Sequence, residues 1–105
     1  MNRSFKEEIY KLVAEVPYGK VTTYGDLAAL AGHPYAARVV GQIAHFGPEG
    51  LPWHRVVNRM GGLALGFWGG KSAHAQLLEA EGIQIKDFKI VDFEEVRWRY
   101  QSNLL

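Results

Sequence analysis

His54 and Glu81 have the types needed for an activation relay, in which a carboxylate orients an imidazole and the imidazole deprotonates a neighbouring nucleophile. The neighbour of His54 is Trp53, in the stretch LPWHRVVNRMGG (51–62), and Arg55 follows. An indole N–H is a donor only and is no useful nucleophile near neutral pH. The relay is thus aimed at a group that does not react. A His–carboxylate hydrogen bond kept for structure is the better account of the same pair from the residues alone.

Other chemistry is narrowed by residue type. The chain has no cysteine, which excludes disulfides, thiolate metal sites and thiol catalysis. Histidines 33, 45, 54 and 74 are separated by 12, 9 and 20 positions, none of them a zinc-ligand spacing, so no metal and no cofactor are expected. Glu81 has no evident partner acid of the kind a glycosidase needs. The glycines of GGLALGFWGG (61–70) lack the Lys-Ser/Thr ending of a phosphate loop.

The elements that must position these residues are legible in outline. Ser4 and Glu7 match a capping box, and Phe5, Ile9, Leu12, Val13 and Val16 recur at helical spacing, so a first helix runs to Pro17. Thr23 caps a second helix that carries Asp26 in its first turn and stops at Gly32. A third is predicted from about Tyr35 to Phe46, with Pro34 at its start. Two short helices joined by a Gly-containing turn have helix-turn-helix spacing. On the second of them Ala36, Ala37 and Gly41 are small and Arg38 projects among them. Small residues allow a partner to come close, and one long cation can reach into it; tight packing against the protein's own neighbour is the alternative. WHRVV (53–57) reads as a strand, NRMGG as its turn and LALGFW (63–68) as a return strand. A last helix ends at Gly82, and the tail, 83–105, is expected to hold a strand and a short helix.

The 105 residues are enough for one domain. Apolar content of 48% and charged content of 22% are ordinary for a soluble globular chain, and no run is long enough to span a membrane. Charges in MNRSFKEEIY stand where a signal peptide needs its apolar stretch, so a cytoplasmic location is expected, nuclear in a eukaryote. Net charge is only +1, so a nucleic-acid partner would be held by a site and not by bulk charge.

VPYGKVTTYGDLAALAGHPYAARVVG, LPWHRVV, GGLALGFWGG and LLEAEG occur in an order and spacing that resemble the DNA-binding, active-site domain of O6-alkylguanine-DNA alkyltransferases, from about Val16 to Gly82. The active-site motif of that family reads Pro-Cys-His-Arg-Val, and Trp53 stands here in the cysteine position. Such a chain is similar to the alkyltransferase-like proteins, the non-catalytic branch. The resemblance implies a mainly α fold with a short β element, a winged-helix or helix-turn-helix DNA-binding domain of the alkyltransferase C-terminal type.

It also implies roles. Arg38 corresponds to the finger that fills the space left by a flipped nucleotide, and Ala36, Ala37 and Gly41 let the helix lie in the minor groove. Tyr24 corresponds to the tyrosine that helps rotate the nucleotide out and borders the base pocket. Trp53, Arg55, Val56, Phe67 and Trp68 are the other residues expected at that pocket, while His54 and Glu81 match the relay behind the cysteine. The family's Asn-Pro hinge is Gly47-Pro48 here, and a lysine typical of the last helix is His74. The implied partner is duplex DNA carrying O6-alkylguanine, bound by a monomer that signals to nucleotide excision repair proteins. Two other readings predict different outcomes: an enzyme working through His54 and Glu81 releases altered DNA, and a sequence-specific regulator prefers one DNA sequence.

Overall fold

The computed structural model describes residues 4–64 and 66–100. Helix α1 (Phe5–Glu15) starts where Ser4 Oγ accepts from the Glu7 amide at 3.1 Å, and it buries Ile9, Leu12 and Val13. Thr22 and Thr23 form strand β1, and Thr23 then caps α2 (Tyr24–Leu30) by accepting from the Asp26 amide at 2.9 Å. One residue therefore both ends a strand and starts a helix, which fixes Tyr24 at the junction. Gly32 has φ +90° and stops α2, as its position in the sequence implies.

Helix α3 spans Ala37–His45, two residues shorter at its start than predicted. The Ala36 amide donates to the His33 carbonyl at 2.9 Å, so residues 33–36 close a turn, and Pro34 lies in that turn instead of opening the helix. The predicted strand 53–57 is also shorter. Residues Trp53–Arg55 form a 3-10 turn, closed by the Arg55 amide on the Pro52 carbonyl at 2.9 Å, and only Val56–Val57 form strand β2. β2 pairs in parallel with β1, Thr22 opposite Val56 and Thr23 opposite Val57.

None of the described residues in 63–68 is in a strand; Leu65 lies outside the description. The hydrogen bonds a return strand would have made go to the tail. After α4 (Gly70–Glu79) the chain forms a hairpin of β3 (Ile85–Lys86) and β4 (Lys89–Ile90), then α5 (Phe93–Val96). The Ile90 amide donates to Gly61 and the Leu63 amide to Phe88, each at 3.0 Å. Beyond α5 the backbone runs beside β1: the Val21 amide donates to Val96 at 2.9 Å and the Trp98 amide to Val21 at 2.6 Å. The tail thus holds one strand more than expected, and its residues 101–105 lie outside the description.

Side chains alternate across a strand, so neighbouring Val56 and Val57 enter different cores. Val56 joins Ile9, Leu12, Val13, Leu27, Ala28 and Val40 from the first three helices. Val57 joins Val21 before β1, Leu63, Leu78 of α4, Ile83 just after it and Ile90 of the hairpin. Each fully buried aliphatic side chain contributes ~1.5–3 kcal/mol, so the two-residue strand holds both halves together. The result is the mainly helical domain with short strands that the resemblance implies. Among the described residues no helix is long and apolar enough to cross a membrane.

Candidate nucleic-acid interface

Glu81 lies just past α4 with its side chain 7% exposed, and its two oxygens receive four N–H groups. His54 Nε2 donates to Oε2 at 2.7 Å, Arg55 Nη2 to Oε2 at 2.9 Å, Arg55 Nε to both oxygens at 3.1 Å, and the Gly19 amide to Oε1 at 2.7 Å. Burial alone would raise the carboxyl pKa. The hydrogen bonds from Arg55, Gly19 and His54 outweigh burial and hold it at about 2. A carboxylate accepts only, so Nε2 of His54 carries the proton. Arg55 also donates through Nη1 to the Val16 carbonyl at 2.9 Å, and its guanidinium lies 5.8 Å from the Tyr18 ring centre. The predicted pair is present, and it ties the end of α1, the 53–55 turn and the end of α4 into one cluster.

On the other side of that turn is an open cavity of about 550 Å³. Tyr24 borders it from α2, Gly41, Ala44 and His45 from α3, and Trp53, His54, Phe67 and Trp68 from the later segments. Burial raises the Tyr24 pKa, so the phenol is neutral. Trp68 is 81% exposed at the mouth. Trp53 Nε1 donates to the Pro48 carbonyl at 2.8 Å, and Tyr10 meets the indole edge-on, ring centres 6.0 Å apart.

Two expectations for the pocket need correction. Arg55 does not line the cavity, because its guanidinium is turned to Glu81 and Val16. Val56 does not line it either, because β2 directs that side chain into the first core, where it is 1% exposed.

One residue has a larger part than sequence reading gives it. His74 is fully buried; its Nδ1 accepts from the Ala64 amide at 3.2 Å and its Nε2 donates to the His54 carbonyl at 2.8 Å. Its ring stacks on Phe67 at 4.4 Å. Desolvation lowers its pKa, against the pull of the His54 carbonyl, so the ring is neutral and serves as both donor and acceptor. The signal for this was its place one helical turn before buried Leu78 on α4.

On α3, Arg38 is exposed and has no hydrogen bond or ion pair with any described residue. A Cβ built on Gly41 meets nothing within 4 Å, so internal packing does not explain the glycine. Ala36 is different: it packs on the first core, which accounts for its size from within. Ala37 is half-buried beside it. The exposed part of this surface is thus Arg38, with Gly41 beside it and the cavity adjoining.

Residues 4–83 match the family of the 6-O-methylguanine DNA methyltransferase DNA-binding domain. The chain belongs to this family. Its relatives include the DNA base-flipping protein of Escherichia coli (strain K12), 46% identical over 99 residues that cover 92% of this chain and 76% of that one. Alkyltransferase-like protein 1 of Schizosaccharomyces pombe is 37% identical over 102 residues, 90% of this chain and 94% of that one. The structure of S. pombe Atl1 in complex with damaged DNA containing O6-carboxymethylguanine superposes with a TM-score of 0.80 at 36% identity, covering 94% of this chain and all of that one. These similarities put the chain on the alkyltransferase-like branch of the family, with Trp53 in a sequence that has no cysteine.

Proposed function

We propose that this alkyltransferase-like chain recognises O6-alkylguanine in duplex DNA and does not transfer the alkyl group. Helix α3 lies in the minor groove, with Ala36, Ala37 and Gly41 allowing close approach. Arg38 enters the base stack, Tyr24 helps turn the nucleotide out, and the base is held against Trp53, Phe67 and Trp68. Extruding a base costs a few kcal/mol and costs less for a poorly paired one, so a mispairing alkylated guanine is favoured before any pocket contact forms. The observation that carries the reading is the cavity beside α3, walled by an indole at the family's cysteine position in a chain without cysteine. His54 and Glu81 then serve as structure. A single copy carries both helix and pocket, so the binding species is a monomer. Without chemistry, its output is a stable complex that nucleotide excision repair proteins can find.

The test is a titration at fixed salt on two duplexes identical except for one O6-methylguanine, with mass spectrometry of protein and DNA afterwards. Tighter binding to the lesion with both masses unchanged is the expected result. Equal binding removes lesion recognition, and altered DNA or a protein heavier by an alkyl group makes the chain an enzyme.

A further inference from the structure

We propose that Gly47 sets the size of lesion the pocket accepts, by providing the seat in which the Trp53 indole lies clear of the cavity. The proposal rests on the reading above, in which the flipped base is held against Trp53, so that the position of the indole limits the room left for an O6 substituent. Gly47 follows the C-terminal end of α3, and both it and Trp53 line the cavity.

The glycine is required by space and not by backbone conformation. Six glycines of the described chain have positive φ, and Gly47 is not among them. A Cβ built on it would overlap Trp53 Cζ2 outright and stand 2.8 Å from Cε2 and 3.0 Å from Nε1. Those are positions on a rigid ring and not the end of a flexible chain, so the whole indole has to move. Its Nε1–H is tied to the Pro48 carbonyl at 2.8 Å, the residue next to Gly47. Tyr10 meets the ring edge-on, and Trp53 also packs on the first core. With the seat filled, the indole's open direction is the cavity of about 550 Å³.

Gly47 and Trp53 therefore act as a unit. The bulky residue at the family's cysteine position fits because a residue six positions earlier has no side chain. Gly41 also borders the cavity, but a Cβ there meets nothing. The two glycines separate a seat for the indole from a surface open to a partner.

The experiment compares wild type, Gly47→Ala, Trp53→Ala and the double variant on three duplexes carrying guanine, O6-methylguanine or O6-benzylguanine. The indole N–H resonance of Trp53 is recorded for the wild type and Gly47→Ala. Gly47→Ala is expected to shift that resonance and to weaken binding of the benzyl lesion by about tenfold, an overpacking effect, with the methyl lesion and plain duplex little changed. In the Trp53→Ala background the same substitution should cost nothing, because the ring it collides with is gone. If wild type prefers the lesions but Gly47→Ala shows no size-dependent loss, or the loss persists without Trp53, the proposal is overturned alone. Equal wild-type affinity for all three duplexes overturns the reading beneath it, and the proposal with it.

Discussion

On one side of the 53–55 turn, Glu81 is enclosed by N–H groups from two segments; on the other, the Trp53 indole donates its single N–H to Pro48 and faces an open cavity. Both sides descend from what the family resemblance describes as one active site. The polar side keeps the residues of a relay, but each is committed to a neighbour within the protein. The apolar side has exchanged a reactive group for a wall. The contrast separates two uses of the same motif: holding the fold together, and shaping what the fold can hold. In the proposed reading, a tryptophan at the cysteine position removes the chemical reason for the relay, whereas the mechanical reason remains.

That division makes mutational effects fall on different measurements. The largest is expected at Glu81→Ala, which strands Arg55 and His54 and should destabilise the domain by about 3 kcal/mol in urea denaturation at neutral pH. The same carboxyl makes wild-type stability depend on acid. Its folded pKa of about 2 lies below the ordinary 4.5, so its contribution is complete above that value and is lost as pH falls toward 2. Glu81→Gln should flatten the denaturation midpoint over this window, and an unchanged slope would mean that other carboxyls dominate it.

Arg38→Ala and Tyr24→Ala test the opposite side. Each should weaken lesion binding by about tenfold, as loss of 1–3 kcal/mol of interface energy implies. Arg38→Ala should leave unfolding within about 0.5 kcal/mol of wild type, since Arg38 is exposed and has no hydrogen bond or ion pair with any described residue. A folded variant that binds the lesion normally would remove the flipping mechanism. The smallest effect belongs to Arg97→Ala. Arg97 grips Asp26 with Nε at 2.8 Å and Nη2 at 2.7 Å, but both side chains are 28% exposed, so its stability cost should be about 1 kcal/mol. A loss of lesion affinity there would show that the tail acts on α2 and Tyr24, blurring the division.

The starts of α1 and α2 and the stops after α2 and α4 were legible because they rest on local chemistry: Ser4 and Thr23 cap through their own side chains, and Gly32 and Gly82 adopt positive φ. The 53–57 segment was not. Strand alternation puts Trp53 and Arg55 on one face, whereas the 3-10 turn directs Trp53 and His54 toward the cavity and swings Arg55 to Glu81. The partner of residues 61–63 was hidden for a related reason. Its hydrogen bonds come from a hairpin more than twenty residues later, and no local pattern announces that pairing. Gly47 read as a departure from a hinge motif, and its meaning depends on where an indole six residues away comes to rest.

The tail has a practical consequence for where this recognition unit ends. The family match ends at residue 83, yet Val21, one residue before β1, has its amide taken by Val96 and its carbonyl by Trp98. A version of the chain cut at residue 83 would leave that strand edge open to water. It would also strip Ile90, Phe93 and Val96 from the second core. The segment that leads into Tyr24 would then exchange its backbone protons freely and offer proteases an extended site. The least conspicuous stretch of the sequence thus determines whether the most recognisable one stays folded.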